Sequence, residues 1–500
     1  MIGFIEFIVL SVLTTLLSVA IAIKHRSHGQ HKPAVRRVRS WLGSAVSRLW
    51  ARQKDIFSPD QLNPRHLLQE IHNLAECHET ASLLANLIRK DGAGEWPPRS
   101  NHDRDTWPAP LQAYRAIYEE MLPLLAVAEP SLDDNVNREQ IMAFRARFRA
   151  LLRERVDLPA VERLLQAAEA GQWDVFPRDT YNGFYACVAW CRHAYRWGTI
   201  PVIRIAQLER TVDLPRELVL PWTYQQRHFG LTSDSGNNMS NLVLNFTPSG
   251  RYSLRINDPA SQSTTITRSE EAFSRIFYDV ERFALPVYHA IIHALRARSL
   301  GDMPTCLYHV RRITHQLRPV LSSYYERVHD ETIARSAWLS HVQGFFGWGA
   351  GYYEPGHQEG GVEQEEPQWV KFDGLSGNQV LLFQVLDAFL GLPAYLDEET
   401  QRRNVPAMQR ELVRAVARHC FRAGLGKDGV DGLIAEEMRE ILKRLRLFRT
   451  AHRTRAKVYL TQPAPERLPM TAGKSLLKSD IETSLEYLDG FMLGRLAQTV

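Results

Sequence analysis

The stretch Leu445-Arg446-Leu447-Phe448-Arg449-Thr450-Ala451-His452, running on to Lys457, Tyr459 and Leu460, decides how this 500-residue chain is read. Its apolar residues recur at helical spacing, and the pattern predicts one long helix over 433–460. A histidine on such a helix, with an arginine one turn before it, is how a helix offers an imidazole to a haem iron. A lone histidine on a helix is more often structural, so its partners matter. A second segment, Gly374-Leu375-Ser376-Gly377-Asn378-Gln379, leads into Leu382-Phe383-Gln384-Val385-Leu386-Asp387-Ala388-Phe389-Leu390-Gly391. It reads as a glycine-bearing turn followed by a short apolar helix over 380–390.

Outward from these two segments the pattern stays helical. Amphipathic helices are predicted over 64–89, 111–127, 138–155, 159–171 and 182–197, then over 269–298, 306–329 and 408–422. Period-two patterns are short, at 202–205 and 252–256. Between the helices lies Gly344-Phe345-Phe346-Gly347-Trp348-Gly349-Ala350-Gly351, where missing side chains let backbone approach a flat ligand. The fold class is mainly α, with a smaller helical domain at 56–200 and a larger one at 201–500.

The net charge of +5 is localised. Nine Lys/Arg and no acid fall between Lys24 and Lys54, leaving the remainder slightly acidic. That balance excludes a basic nucleic-acid-binding body. Residues 2–23 are apolar apart from Glu6 and a few small polar residues, long enough to span a bilayer core. The positive flank Lys24-His25-Arg26 follows the apolar run, so a single-pass anchor over 1–23 would leave the body in the cytosol, at the endoplasmic reticulum in a eukaryote. A cleaved signal peptide, with Ala20-Ile21-Ala22 as its small-residue site, and a buried first helix are the alternatives. Segment 24–55 places Trp41, Leu42, Val46, Leu49 and Trp50 at helical spacing among arginines, which suits an anionic membrane surface; a solvated linker helix is the plainer reading. Five cysteines without a CxxC pair suggest neither a disulfide framework nor a zinc ribbon.

Several segments, in order, resemble the haem-dependent indoleamine/tryptophan dioxygenase superfamily. Ala194-Tyr195-Arg196-Trp197-Gly198 is similar to its A-Y-x-W-G helix end, and Leu214-Pro215 to Pro221-Trp222 resembles the stretch entering the distal pocket. Trp348 resembles the tryptophan of its S-G-W turn, and 374–391 its G-G-S-A-x-Q-S segment with the following F-Q-x-x-D-x-x-L-G helix. Arg449-x-x-His452 is similar to the R-x-x-H of the haem-ligand helix, and Thr471-Ala472-Gly473-Lys474 resembles a substrate-closing loop. The divergent branch with the pyrrolnitrin-pathway rearranging enzyme is also similar.

The resemblance implies that 201–500 is a haem-binding catalytic domain, with haem b held by His452 as iron ligand. It implies an ion pair from Arg449 to Asp387, and Gly374, Leu375 and Ser376 over the haem. Ser376 would donate a hydrogen bond to oxygen or substrate, and Trp222, Phe273 and Phe277 would wall the pocket; the two phenylalanines, four residues apart, serve equally well as core. Thr471 and Gly473 would belong to the substrate loop, and no side-chain acid or base is required. One departure stands out: the superfamily's carboxylate-binding arginine is missing from 339–343. The implied activity is addition of O2 to an indole or tryptophan-derived aromatic in specialised metabolism. The alternatives are a haem-dependent monooxygenase or rearrangement, or a non-catalytic membrane-tethered member. A cytochrome P450 is excluded, since Cys420 lacks the required loop, and the pair His289/His293 lacks the glutamate of an H-E-x-x-H site and reads as structural.

Overall fold

The computed structural model describes residues 63–125, 130–209, 211–348 and 374–462, with 470–471, 474–475, 489–490 and 492–499 from the C-terminal segment. The expected anchor (1–23), the basic segment (24–55) and Gly473 lie outside the described residues. Among the described residues, no helix is long and apolar enough to cross a membrane. Residues 64–500 form one compact unit, and a single hydrophobic core draws side chains from both sides of position 200.

Twelve helices of nine or more residues are present among the described residues: α1 (Pro64–Leu74), α2 (Glu79–Lys90), α3 (Ala109–Leu125), α4 (Asp134–Arg155), α5 (Leu158–Glu169), α6 (Arg178–Trp197), α7 (Arg216–Phe229), α8 (Thr264–Ser299), α9 (Met303–Arg327), α10 (Leu381–Phe389), α11 (Ala407–Arg418) and α12 (Gly429–Leu460). The only strands among the described residues are β1 (Met470–Thr471) and β2 (Lys474–Ser475), antiparallel, with Thr471 opposite Lys474. The mainly α class stands.

The long pair α8 and α9 is the frame. Ser263 caps α8 by accepting from Ile266 N, and the helix ends at Gly301, whose φ of 73° turns the chain back. Asp302 then caps α9 by accepting from Thr305 N (3.1 Å). The two helices pack along each other, α12 lies against α9, and α10 sits between α8 and α11. Helix α6 crosses the interior: every residue over 180–197 is buried, including Arg192, His193 and Arg196. Gly183 makes that crossing possible, because a Cβ there would stand 1.8 Å from Asn101 O.

Two local expectations differ from the structure. The helix expected over 64–89 is two, because Ala75 N and Cys77 N bond back to His72 O and Leu74 O and His78 caps α2. Neither expected strand exists: 204–207 is a helical turn, and at 252–256 only Tyr252 makes a bridge, to Phe246. The donors of that second segment are satisfied elsewhere. Leu254 N bonds Asn245 Oδ1 (2.7 Å), and Ile256 N bonds the buried carboxylate of Glu270 (2.8 Å). Asn257 N, Asn257 Nδ2 and Tyr252 Oη also donate to Glu270, at 3.0, 2.8 and 2.9 Å. A side chain has taken the place of a neighbouring strand.

Glu270→Ala strands these donors in the core. The variant is expected to lose about 3 kcal/mol of unfolding free energy, measured by urea denaturation; a loss under about 1 kcal/mol would show that the carboxylate is dispensable.

Candidate active site

His452 lies on α12 in an unusual environment. Its side chain has open surface, yet burial alone lowers its pKa to about 4. The ring is thus surrounded by protein atoms without being covered by them. Neither ring nitrogen is hydrogen-bonded to a described residue, and at neutral pH the imidazole is uncharged. Aromatic rings flank it. Tyr324 lies 5.3 Å away, and Phe448 runs nearly parallel at 6.3 Å while stacking on Phe383 of α10 at 5.0 Å.

One turn earlier, Arg449 Nη2 donates to Asp387 Oδ1 at 2.6 Å. Asp387 Oδ2 accepts from Arg495, so a carboxylate only 5 % exposed is held between two guanidinium groups. Desolvation lowers the pKa of Arg449, opposed by the Asp387 charge. Arg449 Nη1 is buried without a partner among the described residues, a donor left over for an anionic group. A second pair, Arg453 to Asp489 (2.7 and 2.6 Å), also joins α12 to the C-terminal segment.

The turn before α10 is built by its own side chains. Ser376 Oγ accepts from Asn378 N, and Gln379 Oε1 accepts from Ser376 N (3.2 Å) and from Asn238 N (2.9 Å). Gln379 Nε2 closes the turn on Gly374 O (2.9 Å), and Gly374 bridges to Gly347. The Ser376 hydroxyl proton is not committed to a described acceptor. Leu375 is fully buried, its N bonded to Phe346 O (3.3 Å). Facing this turn, a Cβ on Gly377 would stand 3.9 Å from Phe277 Cε1. Phe277 meets Phe273 edge-on at 5.3 Å, Phe273 meets Trp338 at 6.1 Å, and Trp338 meets Tyr459 of α12 at 5.5 Å.

These contacts close a circuit. It runs from α12 through Trp338, Phe273 and Phe277 to the Ser376 turn, along α10, and back through Asp387 to Arg449. His452, Arg449, Asp387, Gly374, Leu375, Ser376, Phe273 and Phe277 all belong to it. Trp222 does not: its indole N–H donates to Ser233 O, and its ring packs beside Tyr185 (5.4 Å) and under Arg192 (4.7 Å). Thr471 contributes backbone to the β1–β2 pair, next to the undescribed Gly473.

A family model described as indoleamine 2,3-dioxygenase matches residues 180–486, more than half of the chain. The chain belongs to the indoleamine 2,3-dioxygenase family. Comparison with curated proteins gives no match. The family region starts in α6 and takes in the circuit apart from Arg495, whereas α1 to α5 precede it. Membership supports a haem-dependent, dioxygenase-like enzyme that takes a small aromatic and O2.

Several residues of the circuit escaped the sequence reading. Arg495 lies 108 residues from Asp387, and no local pattern ties them. Trp338 opens a π-helical turn, Trp338–Gln343, which contains the arginine-free segment 339–343; a tryptophan next to that segment was the available signal. Arg192 and Arg196 do lie against Trp348, but Arg196 Nε donates to Trp348 O (2.8 Å), and Arg192 donates to Leu218 O and Asp234 O.

Asp387→Ala leaves two buried guanidinium groups unpaired and is expected to cost about 3–5 kcal/mol in urea denaturation, against a smaller loss for Arg495→Ala, which keeps the Arg449 pair. Equal, small losses would show that the paired carboxylate does not hold α10 to α12.

Proposed function

We propose that this chain is a haem-dependent dioxygenase that adds O2 to an indole or tryptophan-derived aromatic. The observation carrying this reading is the neutral, uncovered imidazole of His452, with both nitrogens unbonded to described residues and with the Arg449–Asp387 pair one turn away. The residues suit haem: His452 would be the iron ligand, and the spare Arg449 Nη1 would meet an acidic edge of the macrocycle. When bound, haem b supplies the activation of O2.

The chain's own side chains do the rest. Burial keeps the His452 lone pair unprotonated at neutral pH, as ligation requires. The Arg449–Asp387–Arg495 cluster fixes the helix bearing that imidazole and sets the charge beside it. Trp338, Phe273 and Phe277 exclude water and offer edges and faces to a flat aromatic. Ser376 Oγ–H supplies the one uncommitted hydroxyl donor of the turn. With no arginine over 339–343, a substrate carboxylate has no bidentate partner there, which favours a decarboxylated, acylated or prenylated indole and a place in specialised metabolism.

Full-length protein supplied with haem should give a histidine-ligated spectrum, ferric and then reduced under carbon monoxide, and His452→Ala should lose or greatly weaken it. With an accepted indole, labelled O2 should place both oxygen atoms in the product. A well-folded protein that takes up no haem would sink the oxygenase reading; one labelled atom, or none, would move it to a monooxygenase or a rearrangement.

The reading includes a membrane tether, resting on the apolar run 2–23 and the nine basic residues that follow it. The full chain should stay with membranes through alkaline carbonate washing, and a variant lacking residues 1–23 should not. Release of both would remove the anchor.

A further inference from the structure

Glu70 on α1 and His289 and His293 on α8 each present a ligand atom, all within 4.8 Å of one another. His289 Nε2 stands 2.7 Å from Glu70 Oε2, and the two imidazole rings of α8 are 4.2 Å apart between centroids. Residues four apart on a helix share a face, which brings these rings together. A third imidazole joins them from α9: His309 stacks on His293 at 4.6 Å and 22°. His289 and His309 are 1 % and 7 % exposed, while Glu70 and His293 are half-buried and leave a way in.

The hydrogen bonding of this cluster is incomplete. His289 Nδ1, His293 Nε2 and His309 Nδ1 are buried nitrogens without a partner among the described residues. Unpartnered buried nitrogens on adjoining rings are uncommon in a core. Imidazoles with one carboxylate are the donors that zinc takes, whereas magnesium and calcium need a shell of oxygens.

We propose that Glu70, His289 and His293 bind a zinc ion that pins α1 to α8, with His309 stacked beside it. Tetrahedral ligands at Zn–N distances of about 2.0–2.1 Å stand about 3.3 Å apart, so ligand atoms now up to 4.8 Å apart shift by at most about 1.5 Å around the ion. The site is distinct from the His452 circuit, since His289 lies about 18 Å along α8 from Phe277 at about 1.5 Å per residue. Glu70 comes from outside the family-matching region, so the ion would tie the preceding helices to the family fold. One group opposes the ion: the buried Arg312 guanidinium on α9, whose charge acts on all three imidazoles and whose Nε and Nη2 have no partner among the described residues.

The test uses full-length protein without a polyhistidine tag, dialysed against zinc chloride, with zinc and iron counted separately by mass spectrometry. One zinc per chain and a higher melting temperature are expected. His293→Gln and Glu70→Gln change half-buried positions and should leave the helical circular dichroism intact while weakening zinc by at least about tenfold. Arg312→Met, by removing the opposing charge, should tighten it. The proposal is overturned if folded wild type retains no zinc, or if His293→Gln and Glu70→Gln retain it undiminished. It is equally overturned if the cluster binds inorganic phosphate in place of zinc and loses it in Arg312→Met.

Discussion

Asp387 carries a carboxylate into the core, and much of the site depends on its being answered there. An isolated buried charge is too costly to keep, so the acid requires cations within hydrogen-bond reach. Arg449 from α12 and Arg495 from the C-terminal segment supply them. The pairing fixes the register of α12 against α10, and thereby the direction of the imidazole one turn further on. It also gathers segments from three remote parts of the chain around one point.

The same logic of compensation recurs elsewhere. Glu270 answers backbone donors that a strand partner would otherwise take, which is how a helical protein keeps an extended segment without a sheet. Glu281 on α8 accepts from Tyr288, Trp96 and Leu382 N, at 2.8, 3.2 and 3.3 Å, tying the entrance of α10 to the frame. Burial pushes its pKa up to about 7. Helix α6, buried on every side, has its cationic residues occupied by backbone carbonyls and by Glu209. In each case a polar side chain inside the fold serves geometry, by fixing which helices meet and where.

Two groups of imidazoles remain outside this pattern. His452 keeps both ring nitrogens unbonded to described residues, and His289 and His293, with His309 stacked beside them, gather at Glu70 with nitrogens to spare. The buried rings of His102 and His193 stand singly: His102 Nε2 lies 2.6 Å from Leu244 O, and His193 Nε2 lies 2.7 Å from Ser235 O, each with Nδ1 unpartnered among the described residues. What sets the His289 group apart is the gathering of several rings around one carboxylate.

The sequence by itself determined the helical class, the order of the long helices and the pairing of His452 with Arg449, because helical periodicity and one-turn spacing are local properties. Gly198 at the end of α6 was equally readable, its φ of 71° being what the W-G ending demands. The two apolar segments read as strands were misjudged because alternation over five residues does not say which donors will come to meet them. Only the tertiary structure brought Arg495 to Asp387, set Trp338 against Phe273 and Tyr459, and placed Trp222 beneath Arg192 instead of in the circuit. It alone put Glu70 beside His289, more than two hundred residues away. Contacts of that kind are decided by how helices pack, and packing depends on the fit of whole faces, which the spacing of residues along one helix does not encode.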